Sequence, residues 1–222
     1  MMGEIDLREA MSTLRAVRRL RPDPVSESAL GRVLEAASWA PTGGNVQPFR
    51  IVVVRDRAKM ARLGALYSRG WHEYATGHRA LIAEAPEPIR LAAEKTFAAG
   101  DYLAEHFAET PVLLVFCFNP KIMAITDAKL DRISVVGGAS VYPAVQNALL
   151  ACRAEGLGCV LTTLLCQCED EVRTLLEIPD PWGTAAAIPI GMPVLGGHGP
   201  ISRRPIEKLA FSDTWGDPYA GG

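Results

Sequence analysis

Three short β-branched runs separated by long helical stretches, in a chain of 222 residues that is 49% hydrophobic and 22% charged, predict a single α+β domain with helices packed on a sheet. The length fits one medium domain and is cramped for two. Such a composition buries a large core and is neither disordered nor collagen-like.

Leu7, Met11 and Leu14 fall at i, i+4 and i+7 and predict a first amphipathic helix. Leu30, Val33, Leu34 and Ala37 predict a second after the proline turn Pro22-Asp-Pro24-Val-Ser26. It stops at Trp39-Ala40-Pro41, because the residue before a proline is pushed out of the helical region. The Gly-rich loop Thr42-Gly-Gly-Asn45 then leads into a strand at residues 50–54; residues 112–118 and 184–190 are the other two strands. Residues 56–110 are charged, interrupted by Pro86-Glu-Pro88 and dotted with Tyr67, Trp71, Tyr74, Phe97, Tyr102 and Phe107, so they read as the least core-like third. Val141, Val145, Leu149 and Cys152 mark one face of a long central helix, with Gly156 at its cap. From Leu195 onward the chain is rich in Gly and Pro and carries Ser202-Arg-Arg-Pro205, which predicts an arm that needs a surface to lie on.

With 23 Lys and Arg against 25 Asp and Glu, the net charge of −2 provides no global basic field for nucleic acid or an anionic membrane. Any anion site must be local. The apolar run at 111–118 is too short for the ~20 residues of a bilayer span. The opening segment mixes acids and bases and lacks an apolar signal region, so a cytoplasmic protein is expected. The odd count of five cysteines predicts reduced thiols. No metal is expected, since Cys166-Gln-Cys168 lacks zinc spacing and the His72-Glu73 pair has Thr76 where a second histidine would stand. Esterase and nucleotidase readings lack their Gly-x-Ser-x-Gly and Gly-Lys-Ser/Thr motifs. Gly156-Leu-Gly158 reads as a helix cap, because Leu161 stands where a dinucleotide fingerprint needs its third glycine.

Arg15, Arg18, Arg19 and Arg21 place four guanidinium groups within seven residues. They either grip a phosphate, through charge-assisted bonds of about 1.5–3 kcal/mol each, or form a solvated face at a helix end. In Ala40-Pro-Thr-Gly-Gly-Asn-Val-Gln-Pro48, glycines allow close backbone approach, and Asn45 and Gln47 offer donors and acceptors suited to a heterocycle edge. The bland reading of that loop is a tight turn with a left-handed Asn.

Taken in order, Arg15-Ala-Val-Arg18-Arg-Leu-Arg-Pro-Asp-Pro-Val25, Leu34-Glu-Ala-Ala and Ala40-Pro-Thr-Gly-Gly-Asn-Val-Gln-Pro-Phe49 resemble the amino-terminal signature of the nitroreductase family of flavoproteins. The stretch Val145-Gln-Asn-Ala-Leu-Leu-Ala-Cys-Arg-Ala-Glu-Gly-Leu-Gly158 resembles that family's central helix, and Leu161-Thr-Thr163 its turn beside the flavin. Ile188-Pro-Ile-Gly-Met-Pro193 and Arg203-Arg-Pro-Ile206 resemble its last core strand and carboxy-terminal anchor. The likeness spans nearly the whole chain except 56–110.

The resemblance implies a nitroreductase-like three-layer sandwich, with a mixed, mainly antiparallel central sheet flanked by helices, in an intertwined homodimer with FMN at the interface. It implies hydride transfer from NAD(P)H through the flavin to a nitroaromatic, quinone or related small-molecule acceptor. By position, Arg15, Arg18 and Arg203 match the cations that hold the FMN phosphate and ribityl chain, with Arg19 and Arg204 beside them. Pro41, Thr42, Gly43, Asn45 and Gln47 match the loop that reaches the flavin, and Leu161, Thr162 and Thr163 the segment along its ring edge. Leu14 and Ala16 depart from the Arg and Ser common in the family, which weakens the phosphate grip unless Arg19 compensates; Phe49 in place of Trp keeps an aromatic. No acid–base residue is expected to be catalytic, since the cofactor carries the chemistry. Trp71, Tyr74, Phe97 and Tyr102 are the acceptor-facing candidates, as a lid over the flavin, with core packing as their bland reading. The competing functions are specialised flavin chemistry, such as reductive dehalogenation or flavin fragmentation, and a flavin-sequestering protein with little turnover.

Overall fold

The computed structural model describes residues 5–219. A short helix α1 (Leu7–Thr13) starts where the Asp6 carboxylate accepts from the Arg8 and Glu9 amides; α2 (Glu27–Ser38) is capped by the Ser26 hydroxyl in the same way. Strand β1 (Phe49–Val54) is followed by two long helices, α3 (Arg57–Ile82) and α4 (Glu87–His106), and by β2 (Val112–Phe118). Helix α5 (Tyr142–Ala154) leads into the two-residue strand β3 (Gly158–Cys159). Then come α6 (Glu169–Leu176) and β4 (Gly183–Gly191).

The sheet order is β1-β2-β4-β3, and each of its three pairings is antiparallel. The mixed sheet expected above therefore contains no parallel pair among the described residues. Connectivity explains this. Two helices between β1 and β2 reverse the chain direction, while β2 and β3, joined through α5, are kept apart by β4.

Strand alternation divides the core in two. Val112, Leu114 and Phe116 of β2 face α2 and α5, together with Ala186, Ile188 and Ile190 of β4. Leu113, Val115 and Cys117 face the opposite layer, which holds α3, α4 and α6. The result is a three-layer sandwich.

Residues 56–110 are not a poor part of the core, as their charge suggested. Met60, Leu63, Tyr67, Trp71 and Ala75 repeat at helical spacing along α3 and pack against Phe97, Leu103, Ala104 and Phe107, while the charges occupy the outer faces. The central helix α5 is shorter than expected at 13 residues; it ends at Gly156, whose φ of 68° only glycine adopts freely. The predicted apolar face of α1 is half-buried at best, with Leu7 65% and Met11 55% exposed.

The two long helices touch through Gly100, where a Cβ would lie 2.1 Å from the Trp71 ring. Gly100→Ala is therefore expected to destabilise the fold by about 1–2 kcal/mol, the ring overlap outweighing the ~1 kcal/mol that alanine gains in a helix. A urea titration followed by tryptophan fluorescence checks this, and an unchanged or raised midpoint would show that Trp71 has room to move.

Candidate functional site

Past α1 the chain runs extended along the edge of β3, with the Val17 amide donating to the Cys159 carbonyl at 2.9 Å and the Arg21 amide to the Met192 carbonyl at 2.7 Å. Val17 and Leu20 point inward onto Gly158, where a Cβ would meet them at 2.8 and 2.6 Å. Arg18 is consequently turned to the other side. There it lines a pocket of about 210 Å3 with Tyr67, Trp71, Tyr74, Val160, Leu161, Thr162, Thr163 and Leu164.

Thr162 exchanges both backbone hydrogen bonds with Ala187, at 2.9 and 2.8 Å. Because extended backbone alternates, the amides of Leu161 and Thr163 point away from β4, and neither has a hydrogen-bond partner among the described residues. The pocket thus combines a guanidinium, two free amides and an aromatic wall. Tyr67 belongs to that wall although the sequence reading passed over it; its spacing with Trp71 and Tyr74, at i, i+4 and i+7, was the available signal. Burial pushes the Tyr67 phenol above its usual range, against the pull of the Thr162 hydroxyl and the Arg18 charge. Trp71 is fixed by donating its indole N–H to Asp101 Oδ1 at 2.8 Å. Burial raises the Asp101 carboxyl, but the hydrogen bonds from Trp71 and Arg79 outweigh it and leave the group below its ordinary value.

The other expected site residues lie elsewhere in the single chain. Phe97 is 7% exposed, packed beneath Trp71 with ring centroids 6.3 Å apart, so its ring is core and not pocket wall. Tyr102 carries the Arg19 guanidinium 4.6 Å above its ring, and the two satisfy each other away from the pocket. Arg15 donates from Nε to the Pro200 carbonyl at 3.0 Å, and Arg203 contacts the Ser202 carbonyl next to it. Arg203 and Arg204 are exposed.

The loop with Pro41, Thr42, Gly43, Asn45 and Gln47 forms a separate exposed feature. Ser140 holds it through the Gly43 amide at 3.1 Å, a contact the sequence reading missed. Gly44, Asn45 and Gln47 have φ of 59°, 55° and 47°, and two left-handed non-glycine residues so close together store strain of about 1–3 kcal/mol each. The Gln47 amide is drawn back onto Asn45 Oδ1 at 3.2 Å, and the Gln47 N–H donates to Thr42 Oγ1 at 3.1 Å.

The arm that begins at Leu195 lies first on its own chain, the Gly199 and Ile201 amides donating to the Thr13 and Ser12 carbonyls. Farther on, Phe211 bridges Pro218 and Trp215 is 93% exposed; the last three residues of the expected arm fall outside the described residues.

A helix–sheet–helix sandwich with an amide-lined, cationic pocket beside an interrupted strand defines an α+β protein with a candidate small-molecule site on a rigid edge. The nitroreductase family model matches residues 12–192, and the chain belongs to that family of oxidoreductases. It is 34% identical over 93% of its length to a protein of Thermus thermophilus named NADH dehydrogenase, covering 96% of that relative. It is 31% identical to the 5,6-dimethylbenzimidazole synthase of Rhodospirillum rubrum, across 81% of this chain and 78% of the relative. Among solved structures, the NADPH:FMN oxidoreductase of Vibrio harveyi complexed with NAD+ shares the fold, with a TM-score of 0.65 at 18% identity over 96% of this chain and 79% of that one.

Proposed function

We propose that the chain is one FMN-binding domain that works in the cytoplasm as a homodimer, passing hydride from NAD(P)H to a nitroaromatic, quinone or related small acceptor. The observation that carries this reading is the convergence of Arg18 with the unpaired Leu161 and Thr163 amides in one pocket. Free amides on a rigid strand edge suit the polar rim of a flavin, and a guanidinium suits its phosphate. The pocket's 210 Å3 falls below the roughly 300–1,000 Å3 usual for ligand sites, which favours a site completed by a second copy. In that arrangement the partner's strained loop, from Pro41 to Gln47, would cover the ring, Arg15, Arg203 and Arg204 would add to the anion grip, and Arg19 would join them only by leaving its seat on Tyr102.

FMN, when bound, supplies the hydride-carrying chemistry, so the protein's part is to bind, orient and tune. The Leu161 and Thr163 N–H groups hold the ring edge and favour its electron-rich form, by the electrostatic logic of an oxyanion hole. Tyr74, 40% exposed beside the largely buried Trp71, would offer the aromatic surface against which a planar donor or acceptor stacks. One shared pocket serves donor and acceptor in turn, which implies ping-pong kinetics.

A second reading, specialised flavin chemistry, is favoured by the likeness to a 5,6-dimethylbenzimidazole synthase. Oxidation of NADH and NADPH by the flavin-loaded protein, measured over nitroaromatics, quinones and halophenols, separates the two. Many turnovers on a nitro compound or quinone are expected. A single turnover on every acceptor would instead point to a sequestering protein, the outcome that Leu14 and Ala16 favour.

A further inference from the structure

His198 stands at the root of the carboxy-terminal arm and joins three parts of the chain. Its Nε2 lies 2.8 Å from the Leu157 carbonyl, and its Nδ1 lies 3.3 Å from the Arg15 amide. A carbonyl requires a donor at Nε2 and an amide requires an acceptor at Nδ1, so only the neutral imidazole with its proton on Nε2 satisfies both. One residue on, the Gly199 amide donates to the Thr13 carbonyl at 2.9 Å; two residues on, the Pro200 carbonyl receives the Arg15 guanidinium. Two Arg15 nitrogens bind one carbonyl oxygen, which leaves three of its five N–H donors for an anion.

We propose that His198 is a positioning residue that holds Arg15 and the start of the arm in place only while its imidazole is neutral, so that acidification releases both. The assignment of Arg15 to the flavin phosphate rests on the function proposed above; the latch itself does not. A proton on Nδ1 would face the Arg15 N–H and break that contact. The groups around the ring reinforce this. The charge bearing on it is the Arg153 guanidinium of α5, which is held by Thr13 Oγ1 at 2.9 Å and by Glu9 of α1 at 3.4 Å; Arg15 itself is the cation on the extended segment. Burial is the largest influence; the hydrogen bond to the Leu157 carbonyl opposes it and Arg153 adds to it, and the balance leaves protonation below the usual value of about 6.5. A base whose folded-state value is depressed contributes stability that is complete above its unfolded value and is lost as pH falls below it.

Hydrogen exchange of residues 195–202 in the 222-residue chain, expressed as protection factors at pH 8 and pH 5 with and without added FMN, tests the proposal. Wild-type protection is expected to fall by up to about ten-fold for each pH unit below the open-arm value of about 6.5, until the lower folded-state value is reached. His198→Gln, which keeps a neutral donor for Leu157, should hold its protection at both values, and His198→Ala should be unprotected at both. Equal wild-type protection at both pH values, or a His198→Gln variant that follows the wild type, would overturn the latch. FMN affinity measured in parallel should weaken at pH 5 in the wild type and stay level in His198→Gln. An arm that opens while FMN affinity stays level would confirm the latch and remove Arg15 from the flavin site.

Discussion

Arg18→Gln is expected to weaken FMN binding by roughly 10- to 150-fold, the equivalent of losing one charge-assisted hydrogen bond of about 1.5–3 kcal/mol. The size follows from the position of Arg18. Of the clustered arginines it is the one that lines the pocket with the Leu161–Thr163 amides, because Val17 and Leu20 anchor its backbone against Gly158. Its side chain has no part in either core, so the urea midpoint should move by no more than about 0.5 kcal/mol. Titration of apo-protein by quenching of flavin fluorescence gives the affinity, and a wild-type value would remove Arg18 from the site.

Phe107→Ala is expected to cost about 3–5 kcal/mol, the usual loss for a phenylalanine truncated in a packed core. Phe107 is fully buried in the layer of α3, α4 and α6, and its ring stacks on Tyr67 with centroids 4.3 Å apart and 19° between planes. That loss is a large part of the about 5–15 kcal/mol that holds a typical domain together. It also removes support from a pocket wall, so FMN affinity should fall in the same variant. A urea midpoint lowered by less than the equivalent of about 1 kcal/mol would mean that this second core is loosely packed.

Much of this architecture was legible in the sequence. The strands were found because β-branched runs bounded by turns leave few alternatives, and α2 because Ser26 and Pro41 mark its ends. The short β3 was missed: two residues carry no periodicity, and its pairing with β4 depends on contacts across the sheet. The long α3–α4 pair was undervalued because charge counts average over a helix, whereas burial follows one stripe of it. At the site, residue types in motif order pointed to Arg18 and to Leu161–Thr163, which fold into one pocket. Phe97 and Tyr102 were aromatic candidates by composition alone, and only the packing of α3 on α4 showed that one is core and the other partners Arg19. His198 gave no signal, since its role arises from two backbone contacts at sequence distances of 41 and 183 residues.

The loop 119–140 illustrates the same limit. Asp127 is buried there among Ser134, Arg132 and the Val135 amide, whose hydrogen bonds bring its carboxyl down to about 2 despite burial. The loop it ties down leaves Ile133 and Val135 exposed, which is a conformation no periodicity would have indicated.

In the function proposed above, two copies of this chain hold flavin at the Arg18 pocket. The most direct test of that function is the visible spectrum of the purified protein, with the chromophore released by heat and identified by mass, and with subunit number from light scattering. One FMN per subunit in a dimer is expected. A colourless monomer that does not take up added FMN would contradict it, and the arginine cluster would then be solvated surface charge.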